Sequence, residues 1–126
     1  MYGKPRIAVV DDDESVRQGL ENLISSVGYE AELYASAEEF LACPEAGEAA
    51  CLVLDVRMPG MSGLELQRRL AARSGGPPVI IITAHSHDEA RAEALAAGAV
   101  AFLNKPFKEE ILFGAISSAM SLDRRE

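Results

Sequence analysis

The chain has 126 residues, of which 48% are hydrophobic and 25% charged, and its formal net charge is −8 at pH 7. This size and composition predict one globular domain with its own hydrophobic core, and the negative charge argues against nucleic acid binding by this segment. No apolar run is long enough for a membrane span or a signal peptide, which indicates a cytoplasmic protein.

The first predicted unit is a strand followed by a helix. Residues 7–10 are a short apolar run that ends on consecutive acids. Asp13 is placed to cap the next helix, because its carboxylate can accept hydrogen bonds from the free N–H groups of the first turn. Apolar residues then recur at helical spacing until Gly28, which supplies the stop.

The second unit is shorter. Residues 30–35 alternate between apolar and polar side chains, which is typical of an edge strand. Ser36 and Glu39 have the spacing of a capping box and predict a short helix after it. Residues 44–50 are predicted to form a loop.

A third strand is predicted at residues 51–55, where four apolar residues without polar alternation run into a carboxylate. Such a run indicates a strand buried on both faces. Ser62 and Glu65 repeat the capping-box spacing and predict a helix to about Arg73. Glycine and proline at 75–78 end it.

The β-branched run at residues 79–82 predicts a fourth strand, which ends on Thr83. Ser86 and Glu89 have the capping-box spacing of a further helix, rich in alanine. Gly98 is expected to end that helix.

The last strand is predicted at residues 100–103 and the last helix at about 107–122. Five residues of this helix are expected to face the core: Ile111, Leu112, Ala115, Ile116 and Ala119. We expect the domain to span residues 1–122, with residues 123–126 as the start of a possible linker to an absent output domain.

Five strands that alternate with five helices predict an α/β fold with one doubly wound parallel sheet covered on both faces. Crossovers of this kind are right-handed, and the two commonest strand orders are 2-1-3-4-5 and 3-2-1-4-5. We favour the order 2-1-3-4-5, a flavodoxin-like (βα)5 fold, because it sets the polar ends of strands 1 and 3 side by side.

Four of the five predicted strands are followed by polar residues at their carboxyl ends. These are Asp11 and Asp12 after strand 1, Asp55 after strand 3, Thr83 after strand 4 and Lys105 after strand 5. In an open α/β sheet, ligands bind beyond the carboxyl ends of the strands. Two carboxylates about 4 Å apart repel by roughly 4 kcal/mol at an effective dielectric near 20. We therefore expect a divalent cation, and hard oxygen ligands favour Mg²⁺.

A carboxylate beside Mg²⁺ and a lysine indicates phosphoryl transfer onto that carboxylate. Asp55 is the best candidate for the nucleophile, because it lies at the end of a central strand, between the metal ligands and Thr83. Lys105 and the Thr83 hydroxyl would supply further contacts to the phosphoryl oxygens.

Four short motifs occur in order along essentially the whole chain: Val9-Val10-Asp11-Asp12, Leu54-Asp55-x-x-Met58-Pro59-x-Met61-x-Gly63, Thr83-Ala84 and Lys105-Pro106-Phe107. Together they resemble the receiver domain of two-component response regulators. Arg57, the Thr83-Ala84-His85 turn and the motif over 98–107 are similar to the FixJ-type transcriptional regulators. The resemblance implies a phosphoacceptor signalling domain, which assists its own phosphorylation and dephosphorylation, rather than an enzyme.

The resemblance also implies a role for individual residues in the metal site. Asp55 would accept the phosphoryl group from a sensor histidine kinase or a small acyl phosphate. Asp12 and Asp55 would bind Mg²⁺ directly with the backbone carbonyl of Arg57, and Asp11 would act mainly through water. Mn²⁺ is a possible substitute for Mg²⁺.

The remaining implied roles concern the switch. Thr83 and Lys105 would bind the phosphoryl oxygens, and Phe102 would turn inward when Thr83 moves towards the phosphate. The Lys105–Pro106 bond would be cis, a state common only before proline. Phosphorylation would alter the surface of helix 4, strand 5 and helix 5, favour a homodimer and control an output such as transcription. DNA would be bound only by an absent output domain, and no membrane partner is expected.

Other residues and other functions fit less well. His85 and His87 are expected to be exposed loop residues rather than metal ligands, and Cys43 and Cys51 reduced thiols. A phosphatase of the haloacid-dehalogenase type would need a second Asp two residues after the nucleophile, where this chain has Arg57. A flavodoxin-like binding module would need a phosphate loop after strand 1, where the acids would repel a flavin phosphate. A degenerate receiver would lack one of the acids or the lysine.

Overall fold

A computed structural model of the protein describes residues 4–43, 46–72, 76–84 and 88–123. Its strands are β1 (Arg6–Val10), β2 (Glu30–Tyr34), β3 (Cys51–Asp55), β4 (Val79–Thr83) and β5 (Ala101–Asn104). Its helices are α1 (Glu14–Ser26), α2 (Ala37–Ala42), α3 (Gly63–Ala71), α4 (Asp88–Ala96) and α5 (Glu109–Asp123). The alternation of strands and helices predicted from the sequence is confirmed.

The five strands form one parallel sheet in the order β2-β1-β3-β4-β5, as predicted. Its central strands β3 and β4 are buried along their whole length, because helices cover both faces. One apolar cluster packs the sheet against α1 and α5, and a second packs it against α2, α3 and α4. The pairing aligns Asp55 with Ile82 and Thr83 with Asn104, so the carboxyl ends of these strands lie close together.

Three helices begin at the predicted caps. The carboxylate of Asp13 accepts hydrogen bonds from the first-turn N–H groups of α1. The hydroxyls of Ser36 and Ser62 do the same for α2 and α3. In α2 the capping is extended by one residue, since the Glu39 carboxylate accepts from the N–H of Ala35. These side chains satisfy N–H groups that have no partner within the helix.

The predicted boundaries shift slightly at several elements. Residues 46–48 form a single 3₁₀ turn within the segment predicted to be a loop. The strand predicted at 30–35 ends at Tyr34, and the last helix begins at Glu109. The start of α4 at Ser86, His85, His87, Pro44 and the helix end at Arg73 lie outside the described residues.

One prediction about α5 is wrong. Ile111 was expected in the core, but its side chain is 52% exposed. The buried stripe of α5 follows Leu112, Ile116 and Ala119, and Ala115 is half-buried at its border. Successive helical residues are about 100° apart, so a residue just before Leu112 points away from that stripe. Within the described residues, no helix combines the length and hydropathy needed to cross a membrane.

Gly63 opens α3 in a position that has no room for a side chain. Its N–H donates to the carbonyl of Val56 at 2.9 Å. A Cβ added at Gly63 would lie 2.0 Å from the backbone oxygen of Asp55. The tight turn from β3 into α3 therefore requires glycine because of close backbone approach.

We expect Gly63→Ala to lower the free energy of unfolding by about 3 kcal/mol or more, because backbone atoms must move to admit the methyl group. Urea denaturation followed by circular dichroism measures this. Gly114→Ala is the matched control, since a Cβ at this position in α5 meets nothing within 4 Å. That variant should be neutral or stabilised by up to about 1 kcal/mol. Equal stability of the two variants would contradict the prediction.

Candidate functional site

The carboxyl edge of the sheet holds a pocket of about 230 Å³. Its lining contains the five residues that the sequence placed after a strand at this edge: Asp11, Asp12, Asp55, Thr83 and Lys105. Asp13, Arg57 and Ala84 line it as well. The predicted site residues therefore converge, with the exception of Phe102, which lies in the core next to them. The parallel sheet produces this convergence because all its carboxyl ends point to one edge.

Three carboxylates form the acidic side of the pocket. Asp11, Asp12 and Asp55 each place an oxygen within 4.8 Å of the others. Asp11 and Asp55 are buried, at 0% and 6% exposure, whereas Asp12 is exposed. The three carboxylates therefore lie between the protein interior and the solvent, and water or a solvent-borne ligand can reach them from the Asp12 side.

Lys105 provides the positive charge of the pocket. Its Nζ lies 3.0 Å from Oδ2 of Asp11 and 3.8 Å from Oδ1 of Asp55. The hydrogen bond goes to Asp11, and the Asp55 oxygen stands at the longer distance. Within the described part of the chain, Lys105 is the cation paired with these three carboxylates, and the pocket retains an excess of negative charge.

The electrostatic consequence is visible at Asp55. Burial, and after it the nearby Asp11 charge, raise the pKa of this carboxyl from its ordinary value of 3.8 to about 6. Lys105 opposes the rise, Asp12 adds a smaller increase, and the backbone N–H of Arg57 lowers the pKa by hydrogen bonding. Ionisation of Asp55 is therefore less favourable than that of a free aspartate, and a cation in the pocket would restore it.

The corner after β1 is held by contacts that sequence reasoning missed. The Asp11 carboxylate accepts from the N–H of Asp13 at 2.9 Å. The Arg17 guanidinium, on the first turns of α1, donates to the backbone carbonyl of Asp11 at 2.7 Å. The only available signal was position, since Arg17 follows the helix cap by one turn. These two bonds fix the acids relative to α1.

The other side of the pocket is built by β4 and β5. The N–H of Lys105 donates to the carbonyl of Thr83 at 2.8 Å, which extends the strand ladder beyond its end. Thr83 is 1% exposed, and Phe102 is buried in the apolar cluster on the α3 and α4 face. The peptide bond between Lys105 and Pro106 is cis, as the resemblance implied.

Arg57 lies in the lining of the pocket and is exposed to solvent. Within the described ranges its guanidinium takes part in no ion pair with an acid of the pocket. The Arg57 side chain therefore faces solvent rather than the acids. The expectation for His85 and His87 stays a prediction, because both lie outside the described residues.

The donor set fits a small divalent cation. Carboxylate oxygens are hard ligands, and Mg²⁺ is usually held in proteins by one or two carboxylates together with water. Asp12 and Asp55 offer such oxygens within reach of each other, and the exposed side of the pocket leaves room for water. A cation would relieve the mutual repulsion of the acids, which the single Lys105 amine leaves only partly compensated.

Comparison with known proteins agrees with this arrangement. Residues 7–117 match the family model described as "Response regulator receiver domain". The match covers the five strands except for Arg6, includes the acidic pocket, and ends within α5.

Individual relatives are transcriptional and response regulators. The chain is 43% identical over 116 residues to the response regulator protein TodT of Pseudomonas putida F1, covering 92% of this chain and 51% of TodT. It is 39% identical over 120 residues to the transcriptional regulatory protein FixJ of Bradyrhizobium diazoefficiens, covering 95% of this chain and 58% of FixJ. The solved structure of the response regulator StyR superimposes with a TM-score of 0.87 at 49% identity, over 96% of this chain and 61% of StyR. The chain thus spans about half the length of the curated relatives.

Proposed function

Because this chain belongs to the response regulator receiver domain family, we propose that Asp55 accepts a phosphoryl group from a sensor histidine kinase in a reaction that requires Mg²⁺. A receiver domain is a phosphoacceptor signalling domain and implies a cognate histidine kinase. The observation that carries the choice of Asp55 is its place between the acids and Lys105, at the end of the central strand β3.

Asp12, Asp55 and the backbone carbonyl of Arg57 would hold the metal ion, with Asp11 acting mainly through water. The exposure of Asp12 and the pairing of Asp11 with Lys105 support this division. When bound, Mg²⁺ neutralises charge on the carboxylates and on the incoming phosphoryl oxygens. Mn²⁺ offers the same preference for oxygen ligands and would serve in its place.

Thr83 and Lys105 would bind the phosphoryl oxygens. As the bond from phosphorus to the donor breaks, a bond forms between phosphorus and an Asp55 oxygen, and the bonding electron pair leaves with the donor. Lys105 already stands 3.8 Å from Asp55 Oδ1, so a small movement brings its amine to an oxygen of the attached group. Positioned donors of this kind stabilise the charge that develops during transfer.

The switch would act through the surface formed by α4, β5 and α5. Thr83 would move towards the phosphoryl group, and Phe102 would repack beside it. Phe102 has no hydroxyl, so its movement depends on packing alone. Such a switch needs two states that differ in their contacts, and the phosphoryl group must favour one of them.

Incubation with acetyl phosphate and Mg²⁺, followed by intact-mass measurement, tests the proposed function. We expect one added phosphoryl group, and none when a chelator removes the metal. The unphosphorylated mass in the presence of metal and donor would count against Asp55 as an acceptor for small acyl phosphates.

We propose that phosphorylation favours a homodimer through this α4/β5/α5 surface. Among the described residues, Val27, Leu95 and Ile111 are the exposed large hydrophobic side chains, and two of them lie on α4 and α5. Gel filtration with Mg²⁺ and beryllofluoride, a phosphoryl mimic, should show a shift to the size of a dimer. Ile111→Glu should abolish the shift, whereas Val27→Glu, at the end of α1, should leave it intact. An unchanged elution volume of the native protein would argue against the dimer.

A further proposal concerns the longer protein of which this chain would be the receiver domain. The relatives are longer than this chain, and FixJ is a transcriptional regulatory protein. We propose a cytoplasmic regulator whose receiver domain comprises residues 1–122, with residues 123–126 at the start of a linker to a DNA-binding output domain.

A further inference from the structure

The loop from residue 56 to residue 62 joins β3 to α3 and borders the acidic pocket. Two backbone hydrogen bonds hold its base. The N–H of Val56 donates to the carbonyl of Ile82 at 3.3 Å, and the N–H of Gly63 donates to the carbonyl of Val56 at 2.9 Å. Both bonds lie at the ends of the loop, so they restrain the middle of it only weakly.

The tip of this loop is held by a side chain from another helix. The Glu38 carboxylate, on α2, accepts from the N–H of Met61 at 2.9 Å. This bond holds the pKa of the Glu38 carboxyl below its usual range. A charged acceptor makes a hydrogen bond of this kind stronger than one between neutral groups.

Gly60 makes the close approach of Glu38 possible. It has a φ of +78°, a conformation that other residues rarely adopt, and a Cβ there would lie 2.7 Å from Glu38 Oε2. A Cβ at position 60 would push the Glu38 carboxylate aside, and the positive φ also favours glycine there. The loop tip thus packs directly against the Glu38 side chain of α2.

Arg57 lies in this loop between the anchored base and the tethered tip. Its backbone N–H hydrogen-bonds to the Asp55 carboxylate, and the residue belongs to the lining of the pocket. The position of the Arg57 backbone thus depends on how the whole loop is held. A loop that is loose at its tip would sample positions in which this backbone leaves the pocket.

We propose that Glu38 is a positioning residue of the metal site, which sets the affinity for Mg²⁺ by tethering the loop that carries Arg57. This inference rests on the proposed function only for the identity of the ion. Glu38 touches neither the ion nor the phosphoryl group and acts through the N–H of Met61. Partners that orient metal ligands typically change metal affinity by about 10- to 100-fold when removed. We expect a smaller effect here, roughly three- to tenfold, because the tether acts through several backbone bonds.

Two variants of Glu38 distinguish the effect of its hydrogen bond to Met61 from the effect of its negative charge. Glu38→Gln keeps an oxygen that can accept from Met61 but has no charge, whereas Glu38→Ala removes the acceptor. The dissociation constant for Mg²⁺, measured from backbone amide shifts in an NMR titration, should rise roughly three- to tenfold in Glu38→Ala and stay within about twofold of native in Glu38→Gln. Equal weakening in both variants would assign the effect to charge and overturn the proposal.

Glu30→Ala is the matched control, because it removes an exposed acid from the first position of β2, at the opposite end of the sheet. Its Mg²⁺ affinity should match that of the native protein. The rate of phosphorylation by acetyl phosphate at limiting Mg²⁺ should also fall in Glu38→Ala and stay near native in Glu38→Gln. At saturating Mg²⁺ the Glu38→Ala rate should return to near native. A rate that stays low at saturating metal, or an unchanged Mg²⁺ affinity in Glu38→Ala, would overturn the role of Glu38. Failure of the native protein to accept a phosphoryl group would overturn only the proposed function, because the Mg²⁺ titration does not depend on it.

Discussion

Asp55→Asn should abolish phosphoryl incorporation from acetyl phosphate. The asparagine side chain has the same shape as aspartate, so the fold and the pocket are kept. Its amide is a poor nucleophile and carries no negative charge, so no acyl phosphate forms at this position. Intact-mass measurement after incubation with Mg²⁺ and acetyl phosphate should show the unphosphorylated mass alone.

The control for this substitution is Glu14→Gln, an exposed acid in the same acidic run as Asp11 and Asp12. It should accept one phosphoryl group at about the native rate. Peptide mapping of the native protein should place the group on Asp55. Incorporation that persists in Asp55→Asn would show that another carboxylate is the acceptor and would contradict the proposed role of Asp55.

The second large effect concerns stability without metal. In the folded protein, burial and the Asp11 charge raise the pKa of Asp55 to about 6, against an ordinary value of 3.8. Between these two values the folded state binds more protons than the unfolded state. Stability is therefore lost as the pH rises through this window. Two pKa units correspond to about 3 kcal/mol, and we expect about 2 kcal/mol because the pocket is partly open to water.

Asp55→Asn removes this penalty. In the presence of a chelator, the variant should exceed the native protein in free energy of unfolding by about 2 kcal/mol at pH 7.5. Below about pH 3 the Asp55 carboxyl is protonated in both the folded and the unfolded native protein, and the difference should vanish. Urea denaturation at a series of pH values measures both.

Mg²⁺ should make the native protein more stable than Asp55→Asn, the reverse of their order in chelator. A ligand that binds only the folded state stabilises it by about 2.7 kcal/mol at a hundred times its Kd. The native protein should gain this amount, whereas Asp55→Asn, which lacks one metal ligand, should gain much less. A native protein that is equally stable with and without Mg²⁺ would argue against a metal site at these acids. A variant no more stable than the native protein in chelator would argue against strain at Asp55.

The residue two positions after Asp55 bears on the rival phosphatase function. An acid would be needed there to protonate a leaving group, and the chain has an exposed arginine. The match to the receiver domain over residues 7–117 agrees with this, since a receiver accepts a phosphoryl group as a signal.

The sequence by itself determined the order of elements, the parallel sheet and the identity of the polar residues at its carboxyl edge. These features depend on local patterns: an apolar run that stops on a polar residue, or a serine three positions before a glutamate. Asp55, Thr83 and Lys105 could be named as site residues because each follows such a run. The family resemblance depends on the same short motifs.

Only the tertiary structure decided how these residues share the pocket. Asp11 and Asp12 are neighbours in one acidic run, yet Asp11 is buried and paired with Lys105, 94 positions away, while Asp12 faces solvent. The contacts made by Arg17 and Glu38 likewise have no local signal. They depend on the relative placement of helices that pack across the sheet. Packing of distant elements sets that placement, and local periodicity does not encode it.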